Sequence, residues 1–290
     1  MWAAHLPLLA DGGVRPIALD LPGHGEALVT DGREVTPWTD VLDTLTHLGI
    51  DRFVLAGNSL GALVALQAAV TAPERVEGLL LVGYRPHEQP ASPRLQAAWE
   101  AERAALDADD LDAAVAVGVE AWTSADATDE VRAHAARMLR GQLTGQLAHG
   151  EPSLAEDPLG GETAALRTLR TPALVAVGEH DMPDFFDGGR GLARDLDAGE
   201  PVVRGHPRRG TPRAAGTARG LLRAAVGLRP PAPGDGATAD SRTGVASAVS
   251  WGSARGLPAG CRRSVRGRGC FRARAGREAA GHPCGPDAAR

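Results

Sequence analysis

The stretch from residue 53 to residue 72 constrains the fold more than any other part of the chain. It opens with FVLA at 53–56, a short apolar run typical of a buried parallel strand. The turn GNSLG follows at 57–61, and an Ala/Leu-rich helix is predicted over 60–72. A turn this tight needs glycine where backbone meets backbone, because a Cβ would clash there. It leaves Ser59 at a helix N-terminus, where free N–H groups favour negative charge. A serine that only caps the helix is the alternative interpretation.

Strands and helices alternate around this stretch. A helix is predicted over 36–48, with Thr36 as its N-cap, Pro37 at its first position and Gly49 as its stop. Such alternation is typical of a parallel sheet with helices on both faces. Four segments are expected to be adjacent parallel strands, at 14–19, 53–56, 78–82 and 173–177.

The strand-like segments stop between residues 85 and 166. Helical composition and spacing are found there over 92–107, 111–124 and 129–149. Three large side chains lie on the apolar faces of these predicted helices, namely Trp99, Trp122 and Met138. A bundle that packs on itself and a layer that covers a substrate pocket are both compatible with this pattern.

The formal net charge of -5 gives no indication of a polyanionic partner, but the charge is unevenly spread. Residues 1–200 carry 32 Asp/Glu and 14 Arg, whereas residues 201–290 carry 4 Asp/Glu and 17 Arg, and the chain has no Lys. Nucleic-acid binding by the basic end rests on charge alone, since few aromatic residues there could stack on bases. All three cysteines lie in this end, so residues 1–200 hold no disulfide framework. No run could span a membrane and no signal peptide is evident, so we expect a cytoplasmic protein.

Four motifs in order give the chain a family resemblance. They are DLPGHG at 20–25, GNSLG at 57–61, LLLVG at 79–83 and PALVAVGEHD at 172–181. Together they resemble the α/β-hydrolase fold family, in particular its single-domain esterases, lactonases and C–C hydrolases, over residues 1–197. The resemblance makes GNSLG a nucleophile elbow. It implies a hydrolase core over 1–84 and 167–200 and a helical cap over 85–166 that shapes the pocket. Composition, by contrast, predicts a low-complexity, disordered tail over 201–290.

The resemblance also assigns roles to single residues. Ser59 corresponds to the nucleophile, the N–H of Leu60 to an oxyanion donor and Asp181 to the triad acid. Asp184 is the rival acid, more in keeping with a helix cap or loop, and His24 is more in keeping with a structural loop than with catalysis. The implied substrate is an ester, lactone or related small acyl compound, with no metal or organic cofactor. A serine nucleophile argues against the dehalogenase and epoxide-hydrolase branches, which use Asp.

Two parts of the family pattern are not found. The family's first strand, which ends in a His-Gly pair and donates a second oxyanion N–H, has no counterpart, because the sequence begins at what resembles the first helix. The G-x-G-H loop with the triad base is also missing. His206 in RGHPRR is the nearest in-frame substitute, 25 residues after Asp181. The alternative for His206 is an exposed tail histidine.

The composition after Leu196 is rich in Arg, Gly, Pro and Ala without periodicity, which is typical of disorder. A second hypothesis is that this segment is out of frame. Codons for residues 210–222, read one base later, permit GHPARLEPPEAFS, which matches the family's C-terminal motif. Under both hypotheses, residues after about 207 are expected to lack regular packing and to share no core with the sheet. A well-packed strand within 226–251 would contradict the out-of-frame hypothesis. The expected function is that of an impaired hydrolase. The alternative is a catalytically inactive relative, either a binding module or a fragment from a disrupted reading frame.

Overall fold

The computed structural model describes residues 1–160, 164–199, 201–204 and 243–249 of the 290-residue chain. In chain order its strands are β1 (Arg15–Asp20), β2 (Glu34–Val35), β3 (Arg52–Asn58), β4 (Val76–Val82), β5 (Ser153–Leu154), β6 (Ala173–Gly178), β7 (Val202–Arg204) and β8 (Thr243–Val249). After a 3-10 turn at Trp2–Ala4, its helices are α1 (Leu6–Ala10), α2 (Pro37–His47), α3 (Leu60–Thr71), α4 (Pro93–Asp107), α5 (Leu111–Trp122), α6 (Asp129–His149), α7 (Ala164–Thr168) and α8 (Pro183–Asp195). None of these helices combines the length and the apolar content needed to cross a membrane.

The described strands of the main sheet run parallel in the order β1-β8-β3-β4-β6-β7. Residues of β3 alternate between two hydrophobic clusters, as the two-residue period of a strand requires. Phe53 and Leu55 belong to the cluster that includes α2 and α3, whereas Val54 and Ala56 pack with Leu9 of α1. Both faces of the strand are therefore covered. The predicted parallel sheet with helices on both faces is confirmed.

The strand order differs from the expectation at one position. We expected β1 and β3 to be neighbours, and this is wrong because β8 lies between them and pairs with both in parallel. The register places Gly244 opposite both Arg15 and Phe53. Without β8, the N–H and C=O groups along the facing sides of β1 and β3 would have no strand partner, which is costly inside a sheet.

Strands β7 and β8 both come from the segment 201–290, for which the composition predicts a disordered tail. β7 pairs Val202 with Ala176 and extends the sheet beyond β6. β8 corrects the expectation that the tail has no share in the sheet. The average composition of the tail conceals a local run, TGVASAV, whose Thr and Val residues favour strands. β8 falls within the interval 226–251, but the packing of its side chains and the rest of the tail lie outside the described residues, so the out-of-frame hypothesis stays a hypothesis.

Helices α4, α5 and α6 form a layer that we call the cap, with bounds within two residues of those predicted. Each helix is preceded by an N-cap residue whose side chain accepts a hydrogen bond from the backbone N–H of the third residue of the helix. These residues are Ser92, Asp110 and Thr128. α5 and α6 pack on each other through the buried side chains of Ala114, Val115, Leu139 and Leu143. All described residues, the cap included, belong to one compact unit.

The chain returns from the cap to the core through β5, which pairs in parallel with β2 in a small separate sheet. Asp157 follows, and its Oδ1 accepts a 3.0 Å hydrogen bond from Nε2 of Gln67 in α3. The end of the segment predicted as cap is thus attached to α3, the helix that directly follows Ser59.

Candidate active site

The turn at residues 57–61 holds Ser59 in a backbone conformation that is rare for a residue with a side chain. Its φ is 53° and its ψ is -117°, between the end of β3 and the start of α3. Its N–H donates a 2.9 Å hydrogen bond to the carbonyl of Val82 in the neighbouring strand. A strained serine between a strand and a helix is the geometry of a nucleophile elbow. The side chain of Ser59 makes no capping hydrogen bond to the helix, so the structure does not support the alternative that Ser59 is only a cap.

The first turn of α3 follows directly. The carbonyl of Ser59 accepts hydrogen bonds from the N–H groups of Ala62 at 2.9 Å and Leu63 at 3.3 Å. Leu60 is the first residue of the helix, and its N–H belongs to the group that has no acceptor within a helix. A donor of this kind next to a serine is the expected component of an oxyanion site.

Asp181 lies in the turn that follows β6. Its Oδ2 accepts a 3.1 Å hydrogen bond from the N–H of Gly178, and its own N–H donates to the carbonyl of Gly178 at 3.2 Å. Burial raises the pKa of Asp181 above its usual value of 3.8. The backbone N–H groups of Gly178 and Met182 and the charge of Arg94 act in the opposite direction. Asp181 is therefore held in one orientation and partly desolvated.

The sheet register relates this turn to Ser59. Asn58 at the end of β3 lies opposite Val82 of β4, and Val82 lies opposite Ala176 of β6. Since the strands are parallel, Ser59 and Asp181 follow strand ends at the same edge of the sheet. The two strand ends are two strand spacings apart, or about 10 Å. This distance leaves room for one intervening side chain such as an imidazole.

The intervening histidine is not found among the described residues. Within them, Asp181 has no histidine as a hydrogen-bond partner. His206, the nearest in-frame substitute by sequence, lies outside the described residues. No three His, Cys, Asp or Glu side chains of the described part are grouped so that they could hold a metal ion.

His24 and Asp184 were the two alternatives to the assigned residues. His24 lies in the loop after β1, where its Nδ1 is 3.2 Å from the carbonyl oxygen of Pro22. Burial lowers the pKa of His24, although the carbonyl of Pro22 acts in the opposite direction. Asp184 is 2% exposed and accepts a hydrogen bond from the N–H of Ser92 at the start of the cap. Both environments suit a structural role.

Two arginines, one acting on Asp181 and one paired with Asp184, were missed by sequence reasoning. The charge of Arg94 in the first turn of α4 acts on Asp181, and Arg85 lies 3.9 Å from Asp184, measured from Nε to Oδ1. Neither interaction is indicated by the spacing of residues in the sequence, because each joins residues that are far apart along the chain. An arginine soon after a strand end, at the edge where the chemistry is expected, is the only pointer to Arg85.

Comparisons with known proteins identify the family of the chain and solved structures with a similar fold. The model of the Alpha/beta hydrolase family matches residues 1–214. Two similar solved structures are a hydrolase from Pseudomonas aeruginosa PA01 (TM-score 0.54, 23% identity, 79% of this chain and 85% of that one) and the enol-lactonase from Burkholderia xenovorans LB400 (TM-score 0.52, 19% identity, 72% and 79%). A curated relative is the dihydrolipoyllysine-residue acetyltransferase component of the acetoin cleaving system of Pseudomonas putida, 45% identical over 84 residues, or 28% of this chain and 22% of the relative. The chain spans less than a third of the length of the curated relatives that it matches.

Proposed function

Since the chain belongs to the alpha/beta hydrolase family, we propose that it is a serine hydrolase for an ester, a lactone or a related small acyl substrate. The observation that carries the proposal is the backbone of Ser59, strained at the turn between β3 and α3. Strain of about 1–3 kcal/mol at one residue persists only where the surrounding structure imposes it, and such sites are often functional. The enol-lactonase named above has the same fold, which supports this class of substrate.

The proposed chemistry begins with attack of the Ser59 Oγ on the acyl carbon. The hydroxyl proton passes to an imidazole, and the tetrahedral oxyanion accepts a hydrogen bond from the N–H of Leu60. Asp181 orients the imidazole and stabilises its positive charge. The imidazolium then gives its proton to the leaving alcohol as the C–O bond breaks. Water releases the acyl group from Ser59 by the same steps, so the ester is split into an acid and an alcohol.

The triad base is the one member of the proposed triad that lies outside the described residues. We assign the role to His206 as the only in-frame histidine after Asp181 that precedes residue 210. Without an adjacent base, a serine hydroxyl is a poor nucleophile near neutral pH. Losing one member of such a unit removes most of the rate, because the members act together. We therefore propose a hydrolase whose turnover in this chain is low.

The alternative is a catalytically inactive member of the family that only binds small molecules. It shares the elbow and the acid turn, so geometry does not separate the two. The two proposals differ in the reactivity of Ser59, because only a catalytic serine reacts selectively with an acyl-type electrophile.

The test is covalent labelling of the full chain with a fluorophosphonate, followed by peptide mass spectrometry. We expect slow labelling of Ser59, abolished by Ser59→Ala. The matched control is Ser153→Ala, which removes an exposed serine in β5 and should leave the rate unchanged. Equal labelling of Ser59 and Ser153, or none at Ser59, would favour the inactive alternative.

A further inference from the structure

The first turn of α8 is the place where the core holds the start of the cap. Oδ1 of Asp184 accepts a 2.7 Å hydrogen bond from the N–H of Ser92, 92 residues earlier in the chain. The carbonyl oxygen of Asp184 accepts a 2.9 Å hydrogen bond from Nε2 of Gln89. One residue of α8 therefore holds two points, Gln89 and Ser92, of the segment 84–92 that leads into α4.

Arg85, near the start of this segment, also contacts Asp184 and joins it to the cap. Its Nε is 3.9 Å from Oδ1 of Asp184, and its guanidinium lies 5.5 Å from the centre of the Trp99 ring in α4. Another guanidinium nitrogen donates to the carbonyl of Gln89. The side chains of Arg85 and Asp184 are only 9% and 1% exposed, so this ion pair is buried between the core and the cap.

Two more contacts hold the same helix to the cap and to the end of β4. The rings of Trp122 in α5 and Phe185 meet edge to face at 6.3 Å. A Cβ on Gly188 would lie 2.9 Å from the Cα of Arg85, so the helix and the start of the segment are in direct backbone contact. Contacts at successive turns of α8 leave little freedom for the cap to move independently of this helix.

The geometry of the ion pair argues against a role in stability alone. A separation of 3.9 Å is too long for a strong hydrogen bond, and the pair is not bidentate. A buried pair of this kind gains little net stability, because desolvation offsets most of the attraction. Its value lies in specifying one arrangement of its partners, since a misplaced cap would leave two buried charges unpaired.

We propose that Asp184 is a positioning residue that fixes the start of the cap against the turn carrying Asp181. The inference rests on the proposed function, in which Asp181 is the triad acid. Asp184 is three residues after Asp181, and Met182 between them is 2% exposed, so the turn and the helix move together. Arg94, whose charge acts on Asp181, is two residues after Ser92. Holding Ser92 therefore also restricts the first turn of α4, which contains Arg94.

The test is hydrogen exchange, measured by mass spectrometry on the full chain and on Asp184→Asn. Asparagine keeps an oxygen for the N–H of Ser92 but removes the charge that pairs with Arg85. We expect exchange to rise at least about tenfold in two segments, 84–92 and 178–182, which corresponds to about 1.4 kcal/mol of local opening. Segments 37–47 and 53–58 of the core should not change.

Two further variants sharpen the result. Gln89→Ala removes one hydrogen bond at the rim of the contact, so it should fold even if Asp184→Asn does not, and raise exchange in the same two segments by a smaller factor. Asp187→Asn is the control, because Asp187 lies on the same helix with its side chain 69% exposed and should change neither segment. A uniform rise over the chain, or a rise in 84–92 without one in 178–182, would overturn the proposal.

The exchange result is independent of catalysis. If Ser59 fails to react with a fluorophosphonate while the two segments still respond together to Asp184→Asn, the proposed function fails and the positioning role stands. If Ser59 reacts and the segments do not respond together, the positioning role fails and the hydrolase proposal stands. For a reactive Ser59, Asp184→Asn should also lower the labelling rate more than Asp187→Asn does.

Discussion

Gly57 lies so close to the carbonyl group of Gly61 that no side chain fits between them. A Cβ built on Gly57 would overlap the carbonyl oxygen and carbon of Gly61 and approach the N–H of Ala62. These are backbone atoms of the turn that carries Ser59, and they cannot rotate away as the end of a side chain could. The last residues of β3 and the first turn of α3 are thus in backbone contact, and this contact fixes the direction in which the helix leaves the strand.

Replacing Gly57 by alanine should therefore be strongly destabilising. We expect Gly57→Ala to lower the free energy of unfolding by about 3 kcal/mol, because overpacking against backbone cannot be relieved locally. Gly141→Ala is the matched control, since Gly141 is an exposed glycine of α6 with open space around it, and it should stabilise by about 0.5–1 kcal/mol. Urea unfolding measures both. Similar stabilities for the two variants would contradict the geometry of the turn.

The strain at Ser59 can be separated from its hydroxyl group. Ser59→Gly and Ser59→Ala both remove the hydroxyl, but only glycine adopts a φ of 53° without steric cost. Ser59→Gly should relieve backbone strain of about 1–3 kcal/mol. The greater freedom of glycine in the unfolded chain should offset about 0.5–1 kcal/mol of this gain in stability. We expect Ser59→Gly to be more stable than Ser59→Ala by about 1 kcal/mol in thermal or urea unfolding. The reverse order would mean that the elbow is not strained.

Much of the core could be predicted from local patterns. The run of apolar residues in β3, the glycine turn and the caps of the helices each depend on neighbours in sequence, so their bounds agree with the structure to within about two residues. The turn that carries Asp181 after β6 could be predicted in the same way, since a carboxylate directly after a buried strand lies at the edge where parallel strands end, whereas the role of Asp181 as the acid stays a prediction.

The rest depended on contacts between distant residues. The buried pair of Arg85 and Asp184 joins two positions whose spacing in the sequence carries no periodic signal. An aspartate after a proline is also typical of an ordinary helix start, so Asp184 by itself does not indicate a buried ion pair. β8 was missed because the Arg- and Gly-rich composition of the tail conceals its short run of Thr and Val, and because its place between β1 and β3 depends on residues far apart along the chain. Tertiary context outweighs local preference in such cases.

Tyr84 is the only tyrosine in the chain, so its ionisation can be followed directly by ultraviolet absorbance. Burial, and then the charges of Glu88, Asp157 and Asp195, raise its pKa from 10.0 to about 12. The folded protein should titrate near that value and the unfolded protein near 10. Because the folded pKa is the higher one, this group's stabilising contribution is complete below pH 10 and is lost as the pH rises towards 12. A folded-state titration near 10 would show that Tyr84 is exposed.

The carboxyl of Asp181 should make the fold less stable near neutral pH. Its folded pKa is raised by burial, so its contribution to stability is complete below 3.8 and is lost as the pH rises through the raised value. Asp181→Asn keeps an acceptor for the N–H of Gly178 and carries no charge. We expect it to melt at a higher temperature than the wild type at pH 7, because the amide carries no charge to desolvate. The difference should shrink as the pH falls through the raised pKa and vanish below 3.8.

The control for this variant is Asp187→Asn, which changes an exposed carboxyl of α8 and should leave the melting temperature within about 1 °C of the wild type at either pH. A lower melting temperature for Asp181→Asn at pH 7 would mean that the hydrogen bonds to the carboxylate outweigh the cost of its burial.

Turnover by the 290-residue chain is expected to be very low. Ser59, Asp181 and the N–H of Leu60 are in place at one edge of the sheet, but the base depends on His206 alone. Because loss of one member of such a unit removes most of the rate, we expect little or no hydrolysis of p-nitrophenyl acetate above that of Ser59→Ala. If the chain proves active, His206→Ala decides between two explanations. A fall in kcat of about 10² or more, with KM unchanged, would make His206 the base and refute the out-of-frame interpretation of the tail. Unchanged activity would place the base elsewhere and require a new assignment of the chemistry.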